Sequence, residues 1–123
     1  MTASFEQHYI ETLGHVPPTI TAMFEMDAGL AEGYTTLRKL YFEERSGGLS
    51  SAMKELLIVM LDLADGHVPG AVAHLRAAKR VGLTEDQLRE ALIGAHLILG
   101  ASSWDKVGRT LWETWQEDGK TPG

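Results

Sequence analysis

Apolar residues recur along the chain at intervals of three and four, the spacing of one face of an α-helix. The pattern is sharpest in the second half. Leu56, Leu57, Val59, Met60 and Leu63 map to one broad apolar face, and Ser50 or Ser51 is placed to cap the helix that carries them. The turn Ala64-Asp65-Gly66-His67 leads to Pro69, a residue suited to the first turn of a helix. Val72, Leu75 and Ala78 continue that helix to Val81, with Gly82 as its stop. Thr84-Glu85-Asp86-Gln87 has the spacing of a capping box, and Leu88, Ala91, Leu92, Ala95 and Leu99 carry the helix it opens to about Gly100. Ser102 or Ser103 is placed to cap a last helix containing Val107, Leu111 and Trp115, before a polar tail from Glu117.

The first half carries the same punctuation more loosely. Phe5 to Leu13 reads as a short opening helix, ended by Gly14 and by Pro17-Pro18. Thr19 to Glu44 is mostly helical, with apolar Ile20, Met23, Phe24, Leu30, Leu37, Leu40 and Tyr41. Gly29 and Gly33 are its expected weak points, since each costs about 1 kcal/mol against Ala. Gly47-Gly48 then breaks the chain. No stretch alternates as a half-buried strand does. The expectation is an all-α bundle of five to six helices, folded as a single domain over residues 1–123.

Composition narrows the function. Hydrophobic residues are 44% and charged residues 23% of the chain, the balance of a globular domain with a real core. Seventeen acidic against eleven basic residues give a formal charge of −6, which argues against nucleic acid or an anionic membrane as partner. No apolar run reaches the roughly 18 residues needed to span a bilayer, and the first residues lack the pattern of a signal peptide, so a cytoplasmic protein is expected. There are no cysteines, which excludes every mechanism that needs a thiolate.

Histidine supplies the candidate chemistry. His67 and His74 stand seven residues apart, about two helical turns. His67 falls in the N-cap region, where nearby amides and the helix dipole favour a neutral imidazole that can exchange a proton; the bland alternative is a ring that only satisfies those amides. Glu55 lies on the preceding helix, at a height that brings it to His74 once the two helices fold antiparallel. A partly desolvated carboxylate there would orient the imidazole, whereas a surface Glu55 paired with Lys54 would do nothing chemical. His96 sits in an apolar stretch, either as a core residue or lining a pocket beside Gly94 and Gly100. Trp104, Trp112 and Trp115 suit a core or a subunit interface. Arg76 and Arg80, four apart on the helix of His74, form either a solvated face or an edge that steers anions. Glu55, His67 and His74 together would also make a loose metal-ligand set, although seven-residue spacing is wider than the four-residue pair of helix-borne zinc sites.

The run Lys54-Glu55-Leu56, then Ala64-Asp65-Gly66-His67-Val68-Pro69-Gly70-Ala71-Val72-Ala73-His74-Leu75-Arg76-Ala77-Ala78, then Gly82-Leu83-Thr84 and Leu88-Arg89-Glu90-Ala91-Leu92, resembles the carboxymuconolactone decarboxylase family. That family shares a superfamily with the alkylhydroperoxidase D-like proteins. The likeness covers roughly Leu49 to Trp112, with a looser match over Pro17–Tyr41. In the peroxidase branch the pattern is Glu, Cys-x-x-Cys, then His. Here the Glu falls on Glu55 and the His on His74, while the two Cys positions fall on His67 and Gly70, so thiol peroxidase chemistry is excluded.

The resemblance implies an alkylhydroperoxidase D-like helical subunit in a homo-oligomer, commonly a trimer or hexamer, that works without a cofactor. It further implies a decarboxylase, or a related proton-transfer enzyme, acting on a small lactone or enolisable carboxylic acid of aromatic-compound catabolism. On that reading Glu55, His67 and His74 are catalytic: neutral His67 donates to the enolate oxygen, and His74, oriented by Glu55, supplies or removes the proton. Arg45 or Arg76 would hold a second substrate carboxylate, and His96 would line the pocket. Two other readings stay open: a non-catalytic oligomeric binding protein, and a metal-dependent hydrolase or lyase using His67, His74 and Glu55.

Overall fold

Where the helices start and stop follows from a few capping residues. The computed structural model describes residues 3–120. Among them every regular element is helical: α1 (Ala3–Leu13), α2 (Pro18–Met26), α3 (Ala28–Phe42), α4 (Ser51–Asp65), α5 (Val68–Arg80), α6 (Glu85–Leu99), α7 (Ala101–Ser103) and α8 (Arg109–Lys120). A π-helical turn, Trp104–Gly108, joins α7 to α8 without a break. The expected five to six helices are exceeded because Thr19–Glu44 divides and because a short segment precedes the π turn. The division falls at Asp27, not at Gly29 or Gly33. Asp27 is extended (φ −159°, ψ 109°) and its carboxylate accepts from the amide of Leu30, which caps α3. The chain forms two compact units, Met1–Leu49 and Ser50–Gly123.

The second unit holds α4 to α8. Ser50 caps α4 by accepting from the Met53 amide at 3.2 Å. Gly66 ends it in the left-handed region (φ 74°), where only glycine sits without strain. The Gly66 amide then donates to Leu63 O and the His67 amide to Asp62 O at 2.8 Å, the paired bonds of a Schellman motif. Helix α5 ends the same way at Gly82, with Leu83 N donating to Ala78 O. The Thr84–Gln87 capping box forms at the start of α6. The last run departs from expectation. Neither Ser102 nor Ser103 caps it; Gly100 takes that position, and the Ser103 hydroxyl donates back to Gly100 O.

Helix α4 packs along α5, and α8 against α5. Together with α6 and the π turn they bury Val59, Leu63, Ala71, Leu75, Ala78, Leu88, Leu92, Val107, Leu111 and Trp115 in one cluster. Full burial of a side chain such as Leu75 contributes about 1.5–3 kcal/mol. This core is the platform that holds the polar groups of α4 and α5 described below.

The first unit packs differently. Its inner line on α3 is Ala31, Thr35 and Arg38, while Leu30, Tyr34, Leu37 and Leu40 are exposed. The buried Arg38 guanidinium lies over the Tyr9 and Phe42 rings, at 5.2 and 5.1 Å from their centroids. It donates to His8 Nε2 at 3.3 Å and to Thr12 Oγ1 at 3.1 Å. The Thr35 hydroxyl gives its hydrogen to Ala31 O and accepts from Tyr9 OH at 2.7 Å. His8 is therefore a buried packing residue of α1. Burial first, then the neighbouring Arg38 and Lys39 cations, hold the His8 imidazole below its ordinary range, against a smaller opposing pull from Glu11. On the other elements that meet it, Arg38 and the Phe42 ring face this group.

A histidine harder to protonate when folded makes stability depend on pH. The contribution is complete above the unfolded value of about 6.5 and is lost as pH falls below it, until the folded ring itself takes a proton. Thermal unfolding at about pH 7.5 and about pH 5.5 should therefore show a larger loss of Tm for the wild type than for His8→Gln, which accepts from Arg38 but does not titrate.

Candidate active site

Glu55 lies in the middle of α4 and His74 in the middle of α5. The tight turn at Gly66–His67 runs the two helices antiparallel, so residues equidistant from the turn meet across the seam. There His74 Nδ1 lies 2.6 Å from Glu55 Oε2, and the residues are only 8% and 4% exposed. Glu55 is thus not the surface carboxylate of the bland reading. A buried carboxylate without a partner would cost several kcal/mol, and the short hydrogen bond offsets that cost. An ionised Glu55 can only accept, so it draws hydrogen to Nδ1, and in the neutral ring Nε2 then carries the lone pair. The pair is arranged as an oriented imidazole whose outer nitrogen can take or give a proton.

His67 is not part of that pair. It is the N-cap residue of α5, but its side chain makes no capping hydrogen bond. Its Nδ1 faces Asp62 Oδ1 at 3.6 Å, and the ring is 55% exposed. The alternative in which the ring only satisfies the helix amides is thus not what is seen; the ring faces a carboxylate near the end of α4 instead. Sequence reasoning missed Asp62. The signal was present: Asp62 follows Glu55 by the same seven residues that separate His67 from His74.

The remaining candidates stand elsewhere. Arg45, in the loop after α3, pairs with Glu43 at 3.0 Å within the first unit. Arg76 donates to Asp118 on α8 at 2.9 Å, away from the face of α5 that carries His74. Within the second unit, no described contact brings Arg76 to Glu55 or His74. His96 is exposed, not in the core. With Arg89, Leu92, Ile93, Leu97, Trp104 and Trp112 it lines an open hollow of about 650 Å³ between α6 and the π turn, which neither Glu55 nor His74 enters. Arg89 is held there by Glu85 and Asp86 and lies over the Trp112 ring. Among the described residues no three His, Asp or Glu side chains are grouped to hold a metal ion. Glu55, His67 and His74 do not converge as the loose ligand set would require. Among the same residues no helix is long and apolar enough to cross a membrane.

Residues 28–107 match the carboxymuconolactone decarboxylase family. A crystal structure of a protein from Burkholderia xenovorans LB400, provisionally named a carboxymuconolactone decarboxylase, superposes with a TM-score of 0.89 at 26% identity. The match covers 95% of this chain and 90% of that one. No curated protein matches the chain. The all-helical fold implied by the resemblance of α4 to α6 is the fold observed, and the absence of cysteine agrees with a member lacking the Cys pair.

Breaking the buried pair from either side should be costly in different measure. Glu55→Ala leaves an unpaired imidazole donor and should lose about 1–3 kcal/mol in chemical denaturation. His74→Ala strands a buried carboxylate and should lose about 3–5 kcal/mol, while Glu55→Gln, which still accepts, should recover most of the Glu55→Ala loss.

Proposed function

The chain belongs to the carboxymuconolactone decarboxylase family, and we propose that it is a cofactor-free decarboxylase, or a related proton-transfer enzyme, for a small lactone or enolisable carboxylic acid. The observation that carries this reading is the buried Glu55–His74 hydrogen bond in a chain without thiols. In the reaction the bond to the carboxylate carbon breaks, and CO2 leaves. The electron pair passes into the conjugated carbonyl as a dienolate, and one proton delivered to a carbon of that dienolate completes the product. An imidazole fixed at Nδ1 by a carboxylate can deliver that proton from Nε2, or remove one in the reverse sense. Its orientation is set before substrate arrives, which lowers the cost of reaching the transition state. His67, half-exposed at the mouth of α5, is suited to donate to the developing enolate oxygen. The same reading puts the protein in the cytoplasm, in the breakdown of aromatic compounds.

It also makes the working form a homo-oligomer. Two apolar faces support this. On α6, Ile93, Leu97 and Ile98 are exposed, the last two at 81% and 79%. On α3, Leu30, Tyr34, Leu37 and Leu40 repeat at three and four residues along another exposed stripe. Apolar surface of this kind is covered in stable proteins by a partner, and a second copy of the chain is the partner this reading supplies.

Turnover of a panel of small lactone acids and carboxylic acids whose carboxylate-bearing carbon is conjugated to a carbonyl, followed by CO2 release in deuterated water, tests the chemistry. One solvent deuterium should enter the product at a carbon of the former dienolate. His74→Gln should lower kcat by about a hundredfold or more. Loss-free turnover in His74→Gln and His67→Ala would remove both histidines from the chemistry, whereas no turnover of any member of the panel would leave the non-catalytic binding protein instead. For assembly, light scattering should give a mass above one chain, and Leu97→Asp should reduce it.

A further inference from the structure

Two acid–imidazole pairs, not one, line the seam between α4 and α5. Glu55 and Asp62 are seven residues apart on α4, and His67 and His74 are seven apart at the start and middle of α5. Because the helices run antiparallel, Glu55 meets His74 and Asp62 meets His67. Seven residues of helix rise about 10 Å, so the outer pair sits that far along the seam from the inner one. The inner pair is buried and the outer pair opens to solvent.

Three local features hold the outer pair. The His67 amide donates to the Asp62 carbonyl at 2.8 Å, which fixes the two backbones across the turn. The Asp62 carboxylate then faces His67 Nδ1 at 3.6 Å. Beneath both lies Gly70, one turn into α5. A Cβ added there would stand 2.5 Å from His67 Nδ1, 2.7 Å from its Cε1 and 2.6 Å from Asp62 Oδ2. The ring and the carboxylate occupy the volume that any side chain at position 70 would need.

We infer that Asp62 is a positioning residue for His67, and that Gly70 supplies the space in which the two meet. Asp62 attracts the hydrogen to Nδ1 and fixes the ring, leaving Nε2 as the nitrogen that meets substrate. This rests on the proposed proton transfer only for its part in turnover; the ring's tautomer and orientation do not depend on it.

Nitrogen-15 spectra of histidine-labelled protein read each tautomer, with His67 identified by the signal lost in His67→Gln. In the wild type His67 should carry its hydrogen on Nδ1. Asp62→Ala should shift it toward the Nε2-protonated form, and Gly70→Ala should do the same by pushing the ring off its seat. His74 should keep Nδ1 protonated in both variants, and Tm should hold, since Ala suits both helices. An unchanged His67 tautomer in both variants overturns the inference, whatever the activity. If turnover is found, both variants should lower kcat about ten- to a hundredfold with little change in KM. If no substrate turns over but the tautomer moves, Asp62 keeps its role and the decarboxylase reading falls.

Discussion

A carboxylate and an imidazole, both withdrawn from water, meet across one helix seam, and the arrangement of the second unit follows from keeping them together. Neither group is stable alone in that position. Their 2.6 Å contact requires α4 and α5 to run antiparallel at a fixed register, which the left-handed Gly66 and its paired backbone bonds impose. The core beneath, from Val59 and Leu63 through Leu75 to Leu111, holds the helices at that register. A slip of one turn would part Glu55 from His74 and bury two unsatisfied polar groups at once. The turn, the core and the polar contact are therefore one cooperative arrangement.

How far the sequence foretold this depends on the kind of signal. Caps are local, and most read well: Ser50, Gly82 and the Thr84–Gln87 box act where the pattern put them, while Gly100 takes the place expected of Ser102 or Ser103. The Glu55–His74 meeting was also legible, because a short turn and equal distances from it leave little freedom. The rest depended on competition between local and tertiary effects. Asp27 interrupts the α2–α3 stretch because a side-chain cap outweighs the weakness of a mid-helix glycine. The π turn at Trp104–Gly108 has no pattern of its own in the sequence; within it the Trp104 ring lies close to Gly108. His67 was placed correctly in the N-cap region of α5, but nothing local to that cap pointed to Asp62 near the end of α4, which its ring faces.

The first unit shows the opposite failure of pattern. Leu30, Leu37 and Leu40 mark α3 as helical, yet they are exposed, and its buried line is Ala31, Thr35 and Arg38. Arg38 can be buried there because two aromatic faces and two neutral acceptors surround a planar, weakly hydrated cation. A lysine offers no such plane, so the packing of α1 against α3 depends on the guanidinium itself. The displaced leucines stay on the outside, where only another surface can cover them.

Gly70 has a consequence for how such a chain can change. The family likeness puts the two cysteine positions of the peroxidase branch at 67 and 70. Here the imidazole at 67 leans into the volume above residue 70, so the two sites are sterically coupled. A thiol installed at 70 alone meets the ring, and one installed at 67 alone has no sulfur partner. A Cys pair on this scaffold therefore requires both positions to change together.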